Sequence, residues 1–344
     1  MEAIFFHCMI LLLGVSVEGF HHRHHHHDKL PKSLFVFGDS NVDTGNTQGS
    51  SWSFPYGVTF PGKPSGRLSD GRVLTDFLAA YLGIPSPVPY RERRTAGSRD
   101  RYGMNFAYSG AGVFSTYSAG LPNITTQIDY FERLLRQGTY SRQQLYMSMA
   151  LLSVGGNDYA AYLLKNGLHF QALRGFIKLV VKQIAEDLNR LRVMGLGKIA
   201  VTGLEEVGCL PVVTVLTNRT SCFQPFNEDA AYHNRLLRNA VNAINARPGP
   251  SSSAALVVLP LYDAFHLILS GHTKLGSRFE NPLQQCCVGV NGSECGSIEQ
   301  HVKPSYTLCE DPSKAFFWDR VHLSQAGWAA VFQFLQPTLQ RFLS

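Results

Sequence analysis

Five short apolar runs punctuate the chain, at residues 34–37, 104–107, 150–154, 199–202 and 256–259. Each has the length of a strand, and the segments between them carry helical periodicity. Val73, Leu74, Phe77, Leu78 and Tyr81 recur on one helical face, as do Ile128, Phe131, Leu134 and Leu135. The longest helical segment covers about 171–194 and turns Ile177, Val180, Val181, Ile184, Leu188 and Leu191 inward. Another helix is expected over about 227–246, and a last one after Ser324, a residue type that caps helix N-termini. Strands that alternate with helices imply parallel pairing, with helices covering both faces of the sheet. The predicted fold class is therefore α/β, a five-stranded parallel sheet in a three-layer α/β/α arrangement. Arg247-Pro248-Gly249-Pro250 reads only as a turn before the fifth strand, and no Pro/Ser-rich linker divides the chain. Residues 31–344 are expected to form a single domain.

The N-terminal region reads separately. Residues 4–17 are apolar but too short to span a bilayer comfortably. Val17 and Gly19 are small enough to precede a signal-peptidase cut near Gly19–Phe20, so residues 1–19 are expected to be a signal peptide. Glu2 is the only charged side chain before the run, so the usual positive n-region is missing, and an uncleaved anchor is the competing reading. His21-His22-Arg23-His24-His25-His26-His27 would follow the cut. Residues 20–30 are read as a disordered, solvated leader with no part in catalysis.

Export bears on the cysteines. Cys8 would leave with the signal, and Cys209, Cys222, Cys286, Cys287, Cys295 and Cys309 remain, an even number that reads as disulfides. Cys209 and Cys222 are expected to close one loop. The adjacent pair Cys286 and Cys287 does not suit a mutual bridge, so their partners are Cys295 and Cys309, in an order left open. No Cys-x-x-Cys pair is present, which argues against zinc, and no metal site is expected. Asn123, Asn218 and Asn291 begin glycosylation sequons. The secretory pathway is the expected route, to the extracellular space or cell wall, with the Golgi lumen as the other possible station. The formal net charge of +6 suits an acidic wall polymer or an anionic membrane. Five arginines between positions 91 and 101 face only two acids there, although a solvated loop explains them as well. Nothing in the chain reads as a nucleic-acid-binding motif.

The first apolar run ends abruptly in "SLFVFGDSNVDTGN". In open parallel sheets, ligands bind beyond the carboxyl ends of the strands. Ser40 follows the first strand, Gly110 the second and Asn157 the third, so all three belong to one rim. A serine hydroxyl becomes nucleophilic only when an oriented base takes its proton. "FFWDRVHLS" supplies Asp319 and His322, three residues apart, so that a carboxylate can fix the imidazole while its far nitrogen faces Ser40. Attack on an ester also creates an oxyanion that needs fixed donors. Gly110 offers an unobstructed backbone N–H, and Asn157 a side-chain amide. Each stretch alone reads equally well as a turn; together they read as a site.

Those blocks, "FVFGDSNVDTGN", "PYGVTFPGKPSGRLSDGRVLTDFLAAYLGIP", "GMNFAYSGAG", "SVGGNDY", "GCLP", "HNRLL" and "FFWDRVHLS", resemble the plant GDSL esterase/lipases of the SGNH hydrolase superfamily over nearly the whole mature chain. The resemblance implies a flavodoxin-like sheet, no cofactor, Ser40 as nucleophile, His322 as base and Asp319 orienting it. It further implies an oxyanion hole of the Ser40 N–H, the Gly110 N–H and the Asn157 amide. Asn41 and Leu323 depart from the usual apolar residue and proline at their positions. Val42 stands where a Gly-x-Ser-x-Gly elbow would need its second glycine, which separates the chain from the ordinary α/β-hydrolases. The expected function is a secreted serine esterase acting through an acyl-enzyme on a small-molecule, lipid or polysaccharide ester, either acetylated cell-wall polysaccharide, toward which a basic protein in an acidic matrix tilts, or an acyl lipid. Acyl transfer to build polyester, and a non-catalytic binding or defence protein, are the alternatives. The oligomeric state is left open. Asp39, Asp158, Asp70 and Arg72 are expected to be structural, and His233 and His266 to be packed.

Overall fold

The structure is a computed structural model, and it describes residues 30–117, 120–247, 255–299 and 303–344. The expected signal peptide, and the His-rich leader up to residue 29, lie outside the described residues.

In chain order the main elements are β1 (Ser33–Gly38), α1 (Leu74–Tyr81), β2 (Val88–Pro89), β3 (Gly103–Asn105), α2 (Ile124–Arg136), β4 (Ser148–Ser153) and α3 (Gly156–Asn166). They continue with α4 (Phe170–Val193), β5 (Lys198–Thr202), α5 (Gln224–Asn245), β6 (Ala255–Leu259), α6 (Leu261–Leu269) and α7 (Gln325–Leu343). The strands form one sheet in the order β2-β3-β1-β4-β5-β6, and every pair is parallel. To the five expected strands the structure adds β2. Its two residues are too few to show a period, and its proline is tolerated because β2 lies at the sheet edge.

Alternation along the central strands builds the layers. Leu34, Val36, Met149 and Leu151 pack with α1, α6 and α7 on one face. Phe35, Phe37, Ala150 and Leu152 pack with α2, α4 and α5 on the other. The Phe131 ring anchors the second face, with centroids 4.8 Å from Phe35, 5.6 Å from Phe37 and 5.7 Å from Phe106. Burying a ring of this size contributes about 2–3 kcal/mol, so a few such residues fix how α2 sits on the sheet. α7 begins where Ser324 predicted it, with the serine hydroxyl accepting from the Gly327 N–H at 2.9 Å.

The chain leaves β1 toward β3 on one side, and crosses to β4 and β5 on the other. The loops after β1 and β4 therefore diverge and leave a crevice at the carboxyl ends of those strands.

Three disulfides join Cys209 to Cys222, Cys286 to Cys309 and Cys287 to Cys295. The last two knot a segment that pairs with the site's C-terminal arm: the Cys286 N–H donates to the Phe317 carbonyl at 3.0 Å, and the Cys287 N–H to Trp318 at 2.7 Å. Among the described residues no helix is long and apolar enough to cross a membrane.

Candidate active site

β1 ends at Gly38, whose φ of 148° is closed to most L-residues; a Cβ there would lie 2.2 Å from the Ser153 carbonyl oxygen of β4. The strand then breaks into one tight turn, in which the Val42 and Asp43 N–H groups donate to the Asp39 carbonyl. Asp39 holds that turn as expected, its Oδ1 accepting the Asn41 N–H at 3.0 Å. Ser40 sits at its crest, 8% exposed.

His322 Nε2 lies 2.9 Å from Ser40 Oγ across 282 residues of sequence. His322 Nδ1 lies 2.9 Å and 2.8 Å from the two Asp319 oxygens. Asp319 Oδ1 also accepts the N–H groups of Val321 and His322, both at 2.8 Å, which locks the carboxylate across this single turn. Burial would raise the Asp319 carboxyl, but His322 and these hydrogen bonds outweigh it and hold it below its ordinary range. Burial likewise pulls His322 down; the Asp319 charge and hydrogen bond, with Asp39 and Glu205 beyond, lift it above its ordinary value. An imidazole so placed can take the serine proton and return it to a leaving group.

The donors lie alongside. Neither the Ser40 N–H nor the Gly110 N–H has an acceptor among the described residues. Gly110 is held at φ 82°, and its carbonyl accepts the Thr116 hydroxyl at 2.6 Å. One amide hydrogen of Asn157 goes to the Ala111 carbonyl at 2.9 Å, which binds the first turn of α3 to the Gly110 loop and leaves its second hydrogen available. Asp158 reinforces that tie, accepting the N–H groups of Val113 at 2.8 Å and Phe114 at 2.9 Å. Burial pushes its carboxyl up to about 6.

Several site residues escaped sequence reasoning. Asp43, fully buried, accepts from the N–H groups of Gly45, Asn46, Thr47 and Ser109 and from the Ser109 hydroxyl. It ties the loop after Ser40 to the loop after β3. Asn46 donates to the Asn105 and Ala107 carbonyls, and Asn105 to the Val42 carbonyl. "DTGN" and "GMNF" do contain these polar residues, but their partners lie about sixty positions away, beyond the reach of any local pattern. Tyr56 was missed as well; its hydroxyl donates to Asp319 Oδ2 at 2.9 Å.

Asp70 and Arg72 brace the start of α7, as the Gln325 N–H donates to Asp70 Oδ1 and the Arg72 N–H to Gln325 Oε1. His233 is packed as expected, 2.6 Å from the Tyr159 hydroxyl, with burial holding it down to about 3. His266 is not. Its side chain is 75% exposed and pairs with Glu206 at 3.1 Å, because it falls on the outer face of α6.

A cavity of about 210 Å³ opens beside Ser40, Asn41 and Asn157. Leu163, Leu173, Ile177, Leu204, Leu210 and Phe226 wall it. Among the described residues no group of three or more His, Cys, Asp or Glu could hold a metal ion.

A serine on a tight turn at the end of a central parallel strand, with an imidazole and a carboxylate lined up behind its hydroxyl, has the geometry that serine hydrolases use. The chain belongs to the GDSL lipase/acylhydrolase family: the family model described as GDSL-like lipase/acylhydrolase matches residues 34–335. A GDSL esterase/lipase of Arabidopsis thaliana is 48% identical over 319 residues, covering 90% of this chain and 89% of the relative. A second from the same plant is 44% identical, covering 96% and 94%. A more distant relative, acetylajmalan esterase 2 of Rauvolfia serpentina, is 29% identical over 90% of this chain and 91% of its own. The protein is a carboxylic ester hydrolase.

Proposed function

We propose that this hydrolase cleaves its ester through an acyl-enzyme on Ser40. The observation that carries the reading is the 2.9 Å approach of His322 Nε2 to Ser40 Oγ, with Asp319 behind the ring. Ser40 Oγ attacks the carbonyl carbon and its proton passes to His322 Nε2. The oxyanion is met by the Ser40 and Gly110 N–H groups and the Asn157 amide. The C–O bond then breaks, and the departing alcohol takes the proton from His322. Water repeats the sequence and frees the acid. Asp319 keeps the imidazole in one tautomer and balances its charge while it holds the proton.

The apolar walls of the cavity favour an acyl lipid or other aliphatic ester over acetylated polysaccharide, since an acetyl group would leave most of that surface uncovered. The six paired cysteines and three sequons support export to the extracellular space or wall, with Asn218 and Asn291 exposed for glycosylation. Ser40→Ala should abolish turnover of p-nitrophenyl butyrate while leaving the circular dichroism spectrum unchanged. Undiminished hydrolysis by that variant would sink the mechanism.

A further inference from the structure

We infer that Tyr56 is a fourth member of the relay, a positioning residue that acts on the imidazole through Asp319; the inference rests on the serine mechanism just proposed. The Asp319 oxygens are unequally served. Oδ1 takes two backbone N–H groups besides His322, whereas among the described residues Oδ2 has only His322 and the Tyr56 hydroxyl, which donates to it at 2.9 Å. Asp319 is 7% exposed and Tyr56 4%, so no bulk water stands ready to replace that donor. A buried carboxylate stays ionised and fixed only when each oxygen is satisfied.

The phenol is itself held. Its ring meets Trp318, the residue before Asp319, edge-on at 6.4 Å, and packs among Cys286, Cys287 and Cys295. A Cβ on Gly296 would come within 3.2 Å of it. The disulfide knot, Trp318 and the backbone bonds from Cys286 and Cys287 thus fix one end of the Tyr56–Asp319 contact against the other. Burial and the Asp319 charge hold the phenol well above its ordinary range, so it remains a donor at every working pH.

The sign of its effect on His322 follows. Without the hydroxyl, Asp319 Oδ2 bears more uncompensated charge and holds the imidazolium proton more tightly. His322 must be neutral to accept from Ser40, so the acid limb of kcat/KM moves to higher pH. Asp39 and Glu205 also face His322, and Glu294 lies near Tyr56; the substitution leaves all three in place.

The test compares wild type, Tyr56→Phe and Ser40→Ala on p-nitrophenyl butyrate across pH. Tyr56→Phe keeps the ring against Trp318; it should lower kcat about tenfold with KM unchanged. It should also raise the acid-limb midpoint by about half a unit. Replacing Tyr56 by 3-fluorotyrosine, a stronger donor of nearly the same size, should move the midpoint the other way and covers the case in which the phenylalanine variant fails to fold. A midpoint unmoved in both variants, or a loss confined to KM or thermal stability, overturns the inference. If Ser40→Ala is inactive while Tyr56→Phe matches wild type, only the Tyr56 role fails. If Ser40→Ala stays active, the serine mechanism itself has failed.

Discussion

Gln127 of α2 and Gly38 at the end of β1 exchange two hydrogen bonds: the Gly38 N–H donates to Gln127 Oε1 at 2.8 Å, and Gln127 Nε2 to the Gly38 carbonyl at 2.9 Å. A side-chain amide thus does for the end of the strand what a neighbouring strand does along its length. The bonds fall two residues before Ser40, where the strand must stop and turn. Gln127→Leu keeps the volume but leaves the buried Gly38 N–H unpaired, which costs about 2 kcal/mol. Urea unfolding should show the lower midpoint with an unchanged m-value, and kcat should fall as the Ser40 turn loosens.

The pH behaviour of Asp39 can be read in both stability and rate. Burial raises its carboxyl from 3.8 to about 7 in the folded protein, Glu205 adding to the rise and the Asn41 N–H opposing it. The folded state therefore holds this proton more tightly than the unfolded one. The resulting stability is fully present below about pH 4 and is lost as pH rises to about 7. Asp39→Asn keeps an acceptor for Asn41 and removes that loss. Its thermal midpoint should gain at pH 8 and scarcely change at pH 4, the difference reaching at most about 4 kcal/mol. Equal gains at both pH values would count against the buried-carboxyl account.

The same substitution should move the rate profile. Asp39 helps hold His322 above its ordinary 6.5. Activity should rise with pH as His322 loses its proton, with the wild-type midpoint above 6.5 and the Asp39→Asn midpoint below that of wild type. Kinetics of kcat/KM in a constant-ionic-strength buffer series decide it, and a midpoint that stays or rises refutes the assignment.

Removing the Cys287–Cys295 bridge should cost more than stability. The double substitution Cys287→Ser with Cys295→Ser is expected to lower stability by about 2 kcal/mol. Because Cys287 pairs by backbone with Trp318, kcat should fall at temperatures where the variant is still folded. Differential scanning calorimetry with parallel rate measurements separates the two effects.

Chain length tests the cavity. Each methylene buried against its apolar walls contributes about 0.8 kcal/mol, or roughly fourfold in kcat/KM. Among p-nitrophenyl esters, kcat/KM should therefore climb from acetate to butyrate and beyond until the cavity is full. Val213→Trp, at a cavity-lining position, should cut the longer esters and spare acetate. A series that peaks at acetate would favour the acetyl side of the substrate range instead.

The layers of the fold were legible because apolar periodicity records burial directly. Phe35 and Phe37 against Leu34 and Val36 write both faces of β1 into four residues. Ser40, Gly110, Asn157, Asp319 and His322 were legible because each stands in a local block of recognisable type. Tyr56 and Gln127 were not. Their hydrogen bonds span 263 and 89 residues, and a tyrosine or glutamine that ends buried looks like any other in sequence. α3 was missed for a related reason: Asp158 is its one buried residue, and its apolar stripe of Tyr159, Tyr162 and Leu163 is short and only partly covered. The cavity gathers its walls from α3, α4, α5 and the loop after β5, and no single segment announces it.

The separation of 282 positions between Ser40 and His322 has a consequence for how the protein is made. Synthesis delivers Ser40 before most of the sheet exists, and His322 only after β6 has completed it. A nascent or prematurely terminated chain can thus carry the whole strand scaffold and most of the cavity and still lack hydrolytic power. The candidate site is completed only once the arm bearing Asp319 and His322 has been made and brings the imidazole against Ser40.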